Sequence, residues 1–206
     1  GLSHFAEHMF FKGTCARDAR QIGEYINYLG GNVNAFTSQE LLCLHARTVE
    51  HKVGPALEFL AELLLESTFP AAEIRRERQV ILEEWRMYED SPDELCVDRF
   101  VSNLWPGMTM GRPVIGTRAS IRRFSRQRLD DYWRREFSPD RLVVSVAGAF
   151  DSREVNKIIQ RRFGSLEAPS GPSAARLKKE KRTAVVQNCL RRTTEQRKQG
   201  VADRRQ

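Results

Sequence analysis

The chain holds four histidines in 206 residues, and two of them, His4 and His8, stand four apart with Glu7 between them in the run Ser3-His4-Phe5-Ala6-Glu7-His8. Residues four apart on an α-helix share one face about a turn apart, so both imidazoles can address one cation. Glu7, three residues after His4, lies on nearly the same side. Its carboxylate can reach a water on that cation without binding the metal, which is the placement of a general base. A hydrolytic zinc site takes three protein ligands and keeps a fourth position open, so one more side chain must come from elsewhere. The best candidate is Glu84, in the run Glu77-Arg-Gln-Val-Ile-Leu-Glu-Glu-Trp85. Glu77 and Glu84 are seven apart, close to two helical turns, so both can face inward together while Glu83 points away. A carboxylate behind a ligating imidazole orients it and raises its basicity, a role that suits Glu77. His45 and His51 have no partner pattern and read as structural or exposed.

The elements that must hold these groups follow from periodicity. A short helix is predicted over residues 3–12, with Ser3 near its start and Gly13 ending it. A second helix spans 17–29, where Ile22, Tyr25, Ile26 and Leu29 recur at helical spacing before Gly30-Gly31. Residues 32–37 and 41–48 read as a hairpin turning near Ser38-Gln39. From Val53 to Leu65 the apolar positions form one broad face, as on a helix packed against a sheet. Helices follow from Pro70 to about Tyr88, over roughly 93–104, and from Ser125 to Phe137, with Pro106, Gly107, Gly111 and Pro113 marking a long loop. Leu142 to Gly148 reads as a strand, and Asp151 caps a helix reaching Phe163. Strands interleaved with pairs of helices predict an α+β fold: a mostly antiparallel sheet with helices packed on one face. The domain reading is one unit over residues 1–168, then a linker and basic tail over 169–206 with a strand at 183–189 and a solvated tail or disorder over 190–206.

Composition limits the alternatives. Hydrophobic residues make up 40% of the chain, enough for a real core, and the formal net charge is +7. Residues 171–206 hold 11 Lys/Arg against 3 Asp/Glu, which leaves 23 against 24 in the remainder. The basicity therefore belongs to the tail, and that stretch contains no Phe, Tyr or Trp to stack on bases, which argues against a nucleic-acid binder. Cys15, Cys43, Cys96 and Cys189 form no Cys-x-x-Cys pair, so a zinc ribbon or thioredoxin-type motif is not indicated. No run of about 18 apolar residues is present to span a bilayer.

The order His-x-x-Glu-His is the inverzincin motif, and here it continues as Met9-Phe10-Phe11-Lys12-Gly13-Thr14. With 75 residues between His8 and Glu84, the chain resembles the pitrilysin and mitochondrial-processing-peptidase family of zinc endopeptidases. The likeness runs through Gly30-Gly31-Asn32-Val33-Asn34-Ala35-Phe36-Thr37, Tyr88-Glu89-Asp90-Ser91-Pro92, Gly111-Arg112-Pro113-Val114-Ile115-Gly116-Thr117 and Phe137-Ser138-Pro139-Asp140-Arg141-Leu142-Val143, and so over residues 1 to about 165. It implies His4, His8 and Glu84 as zinc ligands, Glu7 as catalytic base and Glu77 as the carboxylate behind the ligands. It also implies Phe11 as an aromatic beside the cleaved bond, and Asn34, Ala35, Phe36 and Thr37 as the sheet edge to which an extended peptide is added. The implied activity is hydrolysis of peptide bonds: the cation acidifies a water and polarises the scissile carbonyl, and Glu7 takes the proton and hands it to the leaving amine.

Against the family pattern, the strand expected before the histidine helix is missing, no second homologous half is present to close over the substrate, and the likeness fades after Gln196, as at a truncated or frame-shifted end. Met108-Thr109-Met110 and Leu44 also depart from the commoner family residues, which bears on substrate preference more than on the metal. The implied partners are a peptide substrate and a second half-domain or subunit, and the implied compartment is bacterial cytoplasm or mitochondrial matrix. The alternative is a non-catalytic partner or scaffold subunit of a peptidase complex, against which the intact His4, Glu7, His8 and Glu84 argue.

Overall fold

In the computed structural model, which describes residues 1–166, the chain opens with helix α1 (Leu2–Met9) and helix α2 (Ala19–Leu29). Strands β1 (Asn32–Thr37) and β2 (Leu42–Arg47) follow. Helices α3 (Val53–Leu65), α4 (Ala71–Glu89), α5 (Pro92–Leu104), α6 (Arg118–Arg123), α7 (Arg126–Glu136) and α8 (Ser152–Phe163) complete the order. The class is α+β, as the sequence predicts. The expected strand at 183–189, the basic tail and Cys189 lie outside the described residues.

Several boundaries follow local chemistry. Asp18 starts α2 with a capping box: its carboxylate accepts from the Gln21 N–H while the Gln21 side chain accepts from the Asp18 N–H. Helix α2 ends on Gly30 in the left-handed region at φ +68°. Ser125 and Asp151 cap α7 and α8 through their side chains, as expected. Ser3 does not cap α1. Its hydroxyl instead accepts a hydrogen bond from Tyr132 Oη at 2.8 Å, because tertiary packing sets α7 against α1. Helix α6 escapes the sequence reading; its signal is Thr117 paired with Ser120 in a second capping box.

The sheet is smaller than expected. Among the described residues it has two strands, paired antiparallel with Asn34 opposite His45 and Thr37 opposite Leu42. Residues 142–148 keep the alternation of a strand: Val143 is 87% exposed, while Leu142, Val144 and Val146 lean on buried clusters. They are not a strand, because a ladder needs a neighbouring backbone and none of the described residues offers one.

Four buried clusters hold the elements together. One packs Phe5, Ala6 and Met9 of α1 against Ile74, Ile81 and Leu82 of α4, Ile121 of α6 and Leu129 of α7. A second joins Ile22 and Leu29 of α2 to Phe59 and Leu63 of α3 beneath the hairpin. Phe10, Ala35 and Leu64 form a third, and Leu57 with Val155 and Ile158 ties α3 to α8. Helix α1 thus sits between α4, α7 and β1. Gly31 sets the hairpin against α2: a Cβ there would lie 1.9 Å from the Arg47 carbonyl oxygen. Gly31→Ala is expected to destabilise the chain by about 2 kcal/mol or more, since the hairpin must shift to admit a methyl, measured by urea unfolding.

Candidate metal centre

Helix α1 turns Phe5, Ala6 and Met9 into the core, so His4, Glu7 and His8 take the remaining arc. Helix α4 presents Ile74, Glu77, Ile81 and Glu84 as one stripe, with the isoleucines buried and anchoring the contact. Glu83, one residue from Glu84, pairs with Arg86 on the outer surface instead. The two helices bring the Glu84 Oε2 oxygen to 3.4 Å from His8 Nε2 and 3.6 Å from His4 Nε2. One ligand atom from each of His4, His8 and Glu84 lies within 4.8 Å of the others, the only such His/Cys/Asp/Glu group among the described residues.

This donor set fits Zn2+. Tetrahedral ligands about 2.0–2.2 Å from zinc stand roughly 3.3–3.6 Å apart, close to the two His–Glu separations, and the three ligand atoms together lie within 4.8 Å. Burial, with a smaller contribution from the neighbouring His8, lowers the His4 pKa to about 4, so the ring is neutral at physiological pH, the form that ligates. Its Nδ1 is buried and has no hydrogen-bond partner. His8 differs: its Nδ1 faces Glu77 Oε2 at 3.1 Å, a contact that orients the ring and sets Nε2 on the Glu84 side. Glu77 is 5% exposed, and its other oxygen, Oε1, is 2.6 Å from Lys12 Nζ. The sequence reading did not single out Lys12; its signal is a cation following the helix that carries the histidines.

The remaining expected site residues divide. Thr37, at the end of β1, is brought to the centre: its hydroxyl donates to Glu7 Oε2 at 2.5 Å. Asn34 is exposed, and its side-chain carbonyl accepts from the Ala35 N–H at 2.8 Å. The Ala35 side chain is buried with Phe10 and Leu64, so only its backbone faces outward. Phe36 is 49% exposed on the far face of the hairpin, its ring centroid 6.0 Å from that of His45. Phe11 is partly buried and bridges the second and third core clusters.

Comparison with known proteins matches residues 1–118 to the insulinase family, peptidase family M16, and residues 123–202 to the M16 inactive domain. A Bacillus subtilis zinc protease, YmxG, not itself characterised, is 40% identical over 82% of this chain and 41% of its own length. A probable mitochondrial-processing peptidase subunit beta of Arabidopsis thaliana is 34% identical over 82% of this chain and 32% of its own. Among solved structures, a protease from Helicobacter pylori superposes with a TM-score of 0.80 at 26% identity, over 90% of this chain and 46% of that one. An α+β chain with this sequence likeness falls in a family whose matched relatives are named zinc proteases. It belongs to peptidase family M16, and it spans less than half the length of these relatives.

The chain is expected to bind one equivalent of Zn2+, and His4→Ala or His8→Ala to abolish binding, by elemental analysis after desalting. Glu84→Gln should weaken it, since a neutral amide oxygen is the poorer donor.

Proposed function

We propose that the chain is the metal-carrying half of a zinc endopeptidase that cleaves extended peptides. The observation that carries this reading is the meeting of His4, His8 and Glu84, two elements 75 residues apart in sequence, within 4.8 Å. His4, His8 and Glu84 would hold the zinc, with Glu77 behind His8. When bound, zinc supplies Lewis-acid polarisation of the scissile carbonyl and acidification of the attacking water.

The chain's own residues do the rest. Glu7 takes the proton of the attacking water and returns it to the leaving amine. Thr37 holds the Oε2 oxygen of Glu7, which leaves Oε1 for the proton and keeps the carboxylate from rotating. The edge of β1 away from β2 has no strand beside it among the described residues, and a substrate backbone can pair there along Asn34–Thr37. Because the Ala35 side chain is buried, that pairing draws on main-chain groups, which suits a peptidase with broad sequence tolerance. Relatives about twice as long support a second homologous half that closes over the substrate. The match of residues 123–202 to an inactive domain would favour a non-catalytic subunit, but that stretch contains none of His4, Glu7, His8 or Glu84.

In the complete protein with both halves, Glu7→Gln is expected to retain zinc and lower kcat by about 10²–10⁴-fold on a quenched fluorescent peptide. Zinc retention with undiminished hydrolysis would exclude Glu7 as the base. Thr37→Val should lower kcat by about tenfold at unchanged zinc content, and Thr37→Ser should restore it, because the loss is that of one hydrogen bond to a charged group.

A further inference from the structure

We infer that Lys12 is a positioning residue of the zinc site, acting through Glu77 on His8; this rests on the metal reading above. Glu77 is nearly sealed from solvent and divides its two oxygens, Oε2 to His8 Nδ1 at 3.1 Å and Oε1 to Lys12 Nζ at 2.6 Å. A buried carboxylate is costly unless an opposite charge stands against it, and the Lys12 ammonium supplies a permanent one. Among the described residues Lys12 is the only Lys or Arg in ion-pair reach of Glu77. The arginines nearest in sequence are engaged elsewhere: Arg76 with Glu73, and Arg78 with the Phe124 carbonyl oxygen at 2.7 Å.

The backbone delivers Lys12 to this place. The Lys12 N–H donates to the Met9 carbonyl at 3.2 Å, carrying the chain around one more turn beyond α1. Gly13 follows at φ +149°, a conformation open to glycine, where a Cβ would press within 3.2 Å of Pro70 Cγ. Its carbonyl accepts from the Thr68 N–H at 3.1 Å and the Thr68 hydroxyl at 3.3 Å. The loop bearing Lys12 is thereby fastened to the segment that leads into α4, the helix bearing Glu77. Gripped at both oxygens, the Glu77 carboxylate cannot turn away from His8, and the His8 ring is held with Nε2 toward the metal position. His4 has no equivalent support, so the rigidity of the centre enters through the His8 arm.

The test is zinc association by competition with a chromophoric chelator at fixed pH, on the 206-residue chain and its variants, with thermal melting of the metal-free forms alongside. Lys12→Met is expected to lower the association constant by about tenfold and Glu77→Gln by about 10–100-fold. The double variant should lose no more than Glu77→Gln alone, since Lys12 acts only through that carboxylate. Lys12→Arg should recover most of the loss, and Lys12→Gln, which keeps a donor without the charge, should recover less. Parent-like affinity in Lys12→Met, additive losses in the double variant, or a lowered melting temperature with unchanged affinity would each overturn the inference while leaving the metal site standing. Should Lys12→Met not fold, Lys12→Gln replaces it under the same criteria. A parent chain that binds no zinc overturns both the inference and the peptidase reading.

Discussion

The contact between α1 and α4 is what the rest of the molecule depends on. Each helix has an apolar stripe, Phe5, Ala6 and Met9 on one and Ile74 and Ile81 on the other, and burying these stripes fixes how the polar residues beside them meet. The carboxylates of Glu77 and Glu84 are thereby carried to the imidazoles of His8 and His4. Burial and chemistry are coupled here. The environment that keeps His4 neutral also makes the Glu77 charge costly, so a counter-cation is required at hand.

Around this contact, further interactions fix the C-terminal end of the histidine helix from two directions. The turn after α1 is tied to α3, where Glu62 accepts the Thr14 hydroxyl at 2.7 Å and pairs with Arg17. The Arg17 guanidinium lies over the Tyr25 ring, 4.3 Å from its centroid, which binds α2 into the same cluster. From the other direction the hairpin reaches α1 through Thr37 and through Ala35, which packs against Phe10. One strand therefore serves two purposes: its buried side chain holds the core, while its last residue holds the carboxylate proposed to move the proton.

The sequence carried the site further than it carried the sheet, and particular residues say why. His4, Glu7 and His8 lie within a turn of each other, so helix geometry alone relates them, and the spacing of Glu77 and Glu84 is equally local. Thr37 was read as part of a peptide-binding edge, and its bond to Glu7 could not be seen, because it joins residues 30 apart in a relation no periodicity encodes. Phe11 was read as lining the pocket on family likeness; in the structure it bridges two core clusters. Residues 142–148 have the alternation of a strand and show it in their burial, yet form no ladder, since hydrogen-bonded pairing is a property of two segments and not of one.

By itself, then, the sequence determined the helix faces, the caps at Ser125 and Asp151, the hairpin and the identity of the donor groups, because each is set by neighbours within a few residues along the chain. Tertiary structure alone decided which oxygen of Glu77 meets His8 and which meets Lys12, that Glu84 arrives within 3.6 Å of both histidines, and that Ser3 answers to Tyr132 rather than to its own helix. Those outcomes depend on how apolar stripes settle against one another across long stretches of chain, a balance struck by packing and not by local pattern.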